Sequence, residues 1–250
     1  MPELDDALAE LARAPRLLVA LDFDGVLAPI VEVPSAARPL LASAEAVRAL
    51  AALPDTTVAL VSGRGLADLG AVSGIGSPIR LVGSHGAELD DSEGTGLLDD
   101  EQRARKAELA SALADLIDGA PGVALEDKPA GVAVHVRNAD PAVGARTLDA
   151  VRSGPATWSG VEATEGKAVL DLAVVRVSKG AAIDVLRERL GADAVLFVGD
   201  DVTDETAFVR MRERDVGVKV GEGETAAAYR VPAPEDVTAL LERLLAARRG

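Results

Sequence analysis

The stretch LLVALDFDGVLAPI, residues 17–30, constrains this chain more than any other. A short apolar run ends in two carboxylates, Asp22 and Asp24, and is followed by Gly25. Apolar runs of this length, closed by a turn signal, read as buried strands of a parallel sheet. Ligands of open α/β sheets gather just beyond the carboxyl ends of such strands. Two acids placed there are costly unless a cation lies between them or one keeps a proton. A divalent metal with a phosphorylated substrate would meet that demand. An acidic turn after a strand is the plainer alternative, and Asp-x-Asp-Gly alone does not choose between them.

Composition narrows the chemistry. At 250 residues, 48% of them hydrophobic, the chain is long enough for one large or two modest domains with proper cores. A formal charge of -15 excludes nucleic acid and anionic membrane surfaces as partners, since both demand a basic face. An anionic substrate must therefore be held by locally placed cations. With no cysteine and only His85 and His135, disulfides, thiol nucleophiles, thiolate metal sites and histidine-rich zinc centres are excluded. Any metal is oxygen-bound, and Mg²⁺ fits best. The N-terminus opens acidic and its apolar run is too short for a signal peptide or a membrane span, so a cytoplasmic location is expected.

Strand-like and helix-like runs alternate along most of the chain. After the first strand come a helix marked by Leu40, Leu41, Val47, Leu50 and Leu53, a strand at 57–61, a helical patch near Leu66 and Leu69, and a short strand at 79–82. Later come a helix at 179–190, a strand at 194–198, another at 216–220 and a final helix with Val237, Leu240, Leu241, Leu244 and Leu245 in helical register. Such alternation predicts a doubly wound parallel sheet. The middle differs: helix 104–117, strands 123–126 and 132–137, helix 141–151, then strands near 157–163 and 168–172. Val132, Val134 and Val136 alternate with Ala133, His135 and Arg137, the pattern of a half-buried antiparallel sheet. The fold class is thus α/β, a Rossmann-like core with a parallel sheet and a smaller inserted αββαββ cap. The expected boundaries are 1–103 with 173–250 for the core and 104–172 for the cap.

Four signals stand in order at strand ends or helix starts: Asp22-x-Asp24, Ser62-Gly63-Arg64, Lys179-Gly180, and Gly199-Asp200-Asp201-x-x-Asp204-Glu205. Singly, each has an ordinary explanation as a turn, a helix cap, a solvated lysine or an acidic helix start. Together they are the parts of one reaction, phosphoryl transfer through an aspartyl-phosphate. Asp22 is the expected nucleophile. Asp24, two residues on and on the same side of an extended backbone, would protonate the leaving oxygen and later deprotonate water. Mg²⁺ would be held by Asp22, the Asp24 backbone carbonyl and Asp200. Ser62 and Lys179 would bind phosphate oxygens. Asp204 would orient Lys179 or the water around the metal, and whether it or Asp201 has precedence there stays open.

These residues resemble the four motifs of the haloacid-dehalogenase superfamily of phosphatases: DFDG, VSGR, SKG and GDDVTDE. GSHGAE (83–88), EDKPAGVAVHVR (126–137), EGKAVLD (165–171) and VKVGEGETAAAYRV (218–231) extend the resemblance to its trehalose-6-phosphate phosphatase branch. It runs from Leu17 to the last helix. It implies a Mg²⁺-dependent hydrolysis of trehalose 6-phosphate and a cap between the second and third motifs. By motif matching it implies a substrate side made of Gly63, Arg64, Ser84, His85 and Gly86 from the core, and Lys128, His135, Arg137 and Asp171 from the cap. A disaccharide offers many hydroxyls, and a site that hydrogen-bonds them rejects analogues lacking them.

Three positions depart from the family pattern: Val26 where Thr is common, Asp171 where Glu is usual, and Ala173-Val174-Val175-Arg176 where a basic residue and Pro are common. Cap closure hinged near Gln102–Arg103 and Ala173–Val177 is expected from topology. Another capped phosphatase, for sucrose phosphate or a glucosyl or mannosyl phosphate, is the nearest alternative. A phospho-accepting signalling receiver is the alternative outside enzymes, although it needs neither Asp24 nor a cap. The expected partner is a small sugar phosphate. The sequence carries no signal for association with a trehalose-phosphate synthase.

Overall fold

The computed structural model describes residues 2–90, 98–175 and 177–250. Helix α1 (Pro2–Leu11) leads into β1 (Leu17–Leu21), then α2 (Leu41–Ala51), β2 (Thr56–Val61), α3 (Leu66–Ser73), β3 (Arg80–Gly83) and β4 (Glu88–Leu89). The middle supplies α4 (Asp100–Ile117), β5 (Ala124–Lys128), β6 (Gly131–His135), α5 (Pro141–Ser153), β7 (Glu162–Gly166) and β8 (Val169–Ala173). The chain continues through α6 (Lys179–Leu190), β9 (Ala194–Gly199), α7 (Glu205–Phe208), β10 (Val216–Val220), β11 (Tyr229–Val231) and α8 (Pro234–Arg249). It forms two compact units, one from the described residues up to 90 with 178–250, the other from those of 98–177. The expected hinge segment at 173–177 includes Arg176, which lies outside the described residues.

The larger unit holds a seven-stranded sheet in the order β11-β10-β9-β1-β2-β3-β4, parallel except for the β3/β4 pair. Its strands read as unbroken apolar runs because both faces are covered. Leu17, Val19 and Leu21 of β1 join one core with Leu4, Leu8 and Leu11 of α1, Val47 and Leu50 of α2, and Leu240, Leu241 and Leu244 of α8. Leu18 and Ala20 face the other way, into a core with Ile183 and Leu186 of α6 and Phe208 of α7. A polar side chain within β1 would therefore meet a core on either side. The first polar position, Asp22, falls where the strand runs out. The chain leaves β1 toward β2 on one side and reaches β9 on the other, so β1 and β9 flank the point where strand order reverses. A crevice opens at such a point.

The smaller unit has the order α4-β5-β6-α5-β7-β8 and an antiparallel sheet, β5-β6-β8-β7. Val132, Val134, Leu170 and Leu172 are buried, as are Leu109 and Leu113 of α4. The alternate positions Glu126, Lys128, His135 and Asp171 share the opposite face, as the pairing of Glu126 with Ala133 and of Ala133 with Asp171 requires. The strand expected from residue 157 begins only at Glu162. Pro155–Thr157 form a 3-10 turn and Gly160 adopts φ +78, a conformation that interrupts an extended chain. Helix α1 and the two- and three-residue strands β4 and β11 have no counterpart in the sequence reading.

Candidate active site

Three strand ends and one helix start converge. Asp22 follows β1, Ser62 follows β2, Asp200 follows β9, and Lys179 opens α6. The Ser178 side chain caps α6 by accepting from the Ala181 amide (3.1 Å), which fixes where the helix and Lys179 begin. A cavity of about 530 Å³ is lined by Asp22, Asp24, Ser62, Gly63, Arg64, His85, Lys179, Asp200 and Asp201, with Ile30, Val31, Pro34 and Asp68.

The Asp22 amide donates to the Val198 carbonyl at 2.9 Å, continuing the β1–β9 ladder by one residue. Beyond it the backbone is not extended. Gly25 takes φ +74, and the Gly25 amide donates to the Ala28 carbonyl (2.8 Å) while the Leu27 amide donates to Phe23 (3.0 Å). Asp22 and Asp24 line one cavity, and after Asp24, which bridges Ala28, the chain turns back at Gly25. Gly25 is required twice over. Its φ disfavours a side chain, and a Cβ there would lie 1.9 Å from Asp200 Oδ2.

Asp22 Oδ1 accepts from the Phe23 amide (2.6 Å) and Oδ2 from Lys179 Nζ (2.6 Å), which also donates to Asp204 Oδ1 (2.8 Å). All three side chains are buried. Burial pushes the Asp22 carboxyl up to about 8; the Lys179 ammonium opposes this and the Asp204 charge adds to it. Burial alone would pull Lys179 down, but the two carboxylates outweigh it and hold the ammonium above its ordinary value. One cation shared by two acids leaves an excess of buried negative charge, so upward shifts on both Asp22 and Lys179 are physically consistent.

Asp204 is spent internally. Its Oδ2 accepts from the amides of Asp200 (2.8 Å) and Asp201 (3.0 Å), so it ties the acidic loop to Lys179. Asp201 Oδ1 accepts from the Thr203 amide (2.7 Å) and hydroxyl (2.6 Å); against the upward pull of partial burial, these bonds hold its carboxyl below the ordinary value. Among the described residues no hydrogen bond engages the Asp200 carboxylate, which burial, with the neighbouring acids, pushes up to about 6. Carboxylate oxygens of Asp22, Asp200 and Asp204 lie within 4.8 Å of one another. Asp204 accepts three hydrogen bonds and Asp22 two, while none engages the Asp200 carboxylate among the described residues, so Asp200 and Asp22 keep the most acceptor capacity of this all-oxygen set for a hard divalent cation. Lys219, buried at the end of β10, donates to the Asp200 backbone carbonyl and steadies that loop from behind.

The β2 turn supplies the opposite wall. Ser62 is buried, and its Oγ accepts from the Arg64 amide (3.2 Å), which leaves the hydroxyl proton to donate. Arg64 meets Asp24 in a two-pronged bridge, Nε to Oδ2 at 2.6 Å and Nη2 to Oδ1 at 2.7 Å. The Ser84–Gly86 turn is stitched to this loop: the Ser84 amide donates to the Arg64 carbonyl (2.7 Å) and the His85 amide to Ser62 (2.9 Å). Ser84 and His85 both hold positive φ, 50 and 57, a strain that places the His85 ring against Gly63. Burial and the nearby Lys179 lower the His85 imidazole below its usual value, against the opposing pull of Asp201 and Asp204.

The other residues singled out by the motifs lie elsewhere. The Ser84 hydroxyl donates to Glu88, and Gly86 packs against Ala182 and the Ser178 carbonyl of α6; neither lines the cavity. In the smaller unit His135 Nε2 lies 2.7 Å from Glu126, Lys128 pairs with Asp171, and Arg137 follows β6 in an exposed turn. Sequence reasoning passed over Glu88, whose carboxylate accepts from the Leu66 amide (3.3 Å) at the start of α3, and Lys219. It also passed over Asp68, which accepts from Arg64 (2.8 Å) and had a readable signal, its i,i+4 spacing from that arginine.

A sequence model of the family described as trehalose-phosphatase matches residues 20–235. The chain is 38% identical, over 96% of its length, to a protein of Mycobacterium tuberculosis named as an uncharacterised glycosyl hydrolase, of which it spans 20%. It is 36% identical over 98% of its length to the trehalose-phosphate phosphatase of Mycobacterium marinum, of which it spans 66%. Its fold is similar to that of Aspergillus fumigatus trehalose-6-phosphate phosphatase, with a TM-score of 0.69, 25% identity and 97% of each chain covered. The chain therefore spans between about a fifth and two thirds of the length of these curated relatives. Among the described residues no helix is long and apolar enough to cross a membrane.

Proposed function

The chain belongs to the trehalose-phosphatase family, and from that premise we propose that it hydrolyses trehalose 6-phosphate to trehalose and phosphate through an aspartyl-phosphate on Asp22. The observation that carries this reading is the buried Asp22–Lys179–Asp204 group beside the Asp200 carboxylate, which no hydrogen bond engages among the described residues, at the end of the strand where sheet order reverses. Mg²⁺ held by Asp22, Asp200 and the Asp24 backbone carbonyl would offset the repulsion between a carboxylate and a phosphate dianion.

Asp22 attacks phosphorus as the bond to the sugar oxygen breaks, and Asp24 gives that oxygen its proton. Asp24 then takes a proton from water, the water oxygen attacks the phosphoenzyme, and phosphate departs with Asp22 restored. Lys179 and the Ser62 hydroxyl hold the equatorial oxygens over which charge spreads. His85 and the Gly63 backbone line the way to the sugar. Lys128, His135 and Asp171 share one face of the smaller sheet and, with Arg137, are proposed to bind sugar hydroxyls. The pairing of Lys128 with Asp171 and of His135 with Glu126 supports this reading by placing donors and acceptors together on that face.

The test is phosphate release from trehalose 6-phosphate with Mg²⁺, against Asp22→Asn and against EDTA. Both controls are expected to be inactive. Comparable rates on glucose, mannose and sucrose phosphates would defeat the trehalose assignment, and activity retained by Asp22→Asn would defeat the nucleophile.

A further inference from the structure

We infer that Arg64 is a positioning residue that works through Asp24, fixing the carboxylate that exchanges protons, and is not a contact for the sugar; this rests on the phosphatase reading above. The guanidinium is nearly committed. Nε and Nη2 grip the two oxygens of Asp24 at 2.6 and 2.7 Å, Nη2 also donates to the Pro34 carbonyl at 2.9 Å, and Nη1 donates to Asp68 at 2.8 Å. Four of its five N–H groups are spent on the protein. Its side chain is 11% exposed, and its Cζ stands 5.7 Å from the centre of the Phe23 ring. Little donor capacity is left for a substrate hydroxyl.

The same geometry restrains Asp24 strongly. Asp24 lies beyond the end of β1, joined only by an isolated bridge to Ala28, and 31% of its side chain is exposed. A carboxylate on such a perch samples several rotamers in water. A planar fork meeting both of its oxygens selects one of them. The fork is itself braced, from the Pro34 carbonyl on one side and the first turn of α3 on the other. Asp68–Arg64–Asp24 is therefore a rigid strut from a helix to the proton-exchanging group. A displacement of about 1 Å at such a group costs on the order of 10²-fold in rate.

A double-mutant cycle on the whole chain with Mg²⁺ tests this, using Arg64→Gln, Asp24→Asn and the pair, with trehalose 6-phosphate and p-nitrophenyl phosphate as substrates. Arg64→Gln is expected to lower kcat on trehalose 6-phosphate by about 10- to 10²-fold with KM within about threefold. On the Asp24→Asn background the same change is expected to cost less than about threefold, because the group it positions is gone. p-Nitrophenyl phosphate, whose leaving group needs no proton, makes the first step readable on the Asp24→Asn background as the nitrophenolate burst that precedes slow hydrolysis of the phosphoenzyme. Arg64→Lys keeps the charge without the fork and is expected to recover only part of the loss. If Arg64→Gln does not fold, as thermal unfolding would show, the cycle is run with Arg64→Lys. A full penalty on the Asp24→Asn background, or a raised KM with kcat intact, overturns the inference alone. A wild-type chain that releases phosphate from neither substrate overturns the phosphatase reading and this inference with it.

Discussion

Gly25→Ala separates the backbone's part in this site from the side chains' part. The substitution changes two things. It places a non-glycine residue at φ +74, which costs about 1–2 kcal/mol for an L-residue in the left-handed region. It also drives a methyl group to 1.9 Å from Asp200 Oδ2 and 2.4 Å from its Cγ. The obstructing atoms are the end of a short side chain, so the fold tolerates the change by turning Asp200 aside. The carboxylate must retreat by roughly 1 Å, and Mg²⁺ demands ligand distances good to about a tenth of that. Global stability should therefore fall by only about 1–2 kcal/mol, while Mg²⁺ affinity and turnover fall on the order of 10²-fold. Urea unfolding in EDTA reads the first quantity; calorimetric Mg²⁺ titration and phosphate release at saturating metal read the others. A variant destabilised as expected that still binds Mg²⁺ and turns over within threefold of wild type would refute the argument that Asp200 needs the space above Gly25.

Two further outcomes follow from the buried charges. Lys179→Met leaves the Asp22 and Asp204 carboxylates without their shared ammonium and should cost about 3–5 kcal/mol at pH 8. The loss should shrink by pH 5 as Asp22 protonates, and an equal loss at both pH values in urea unfolding would count against the charge explanation. With Asp22 pushed up to about 8 and Asp200 to about 6, the metal-free native chain keeps protons that the unfolded chain, at a usual 3.8, has already released. Metal-free stability should accordingly fall as pH rises from about 4 to about 8. At pH 7 Mg²⁺ should displace close to one proton, and fewer at pH 9, measured calorimetrically in buffers of different ionisation heat; affinity flat between pH 6 and 8 would refute it.

Much of the architecture was legible because it is written locally. A strand covered on both faces must be apolar at every position, so β1, β2, β9 and β10 announce themselves as runs, and Leu240, Leu241 and Leu244 announce α8 by spacing. β4 and β11 were not legible. Two or three residues carry no period, and only a neighbouring strand makes them strands. The strand expected from 157 failed for another reason: Ser159-Gly160 is a turn signal, and the chain turns there before pairing with β8 from Glu162.

The sequence by itself determined that acids would stand at the ends of β1 and β9, with a serine after β2 and a lysine opening α6. Each is the first polar residue after an apolar run, or follows a capping serine. Only the tertiary structure decided how those groups divide the work. Arg64 reaches back 40 positions to hold Asp24, Lys179 is shared between residues 157 and 25 positions away, and Ser84 turns from the cavity to Glu88. Burial and periodicity are properties of a segment and survive in its sequence. The partner of a polar side chain depends on which donors and acceptors the folded sheet brings within about 3 Å, and no spacing along the chain encodes that distance.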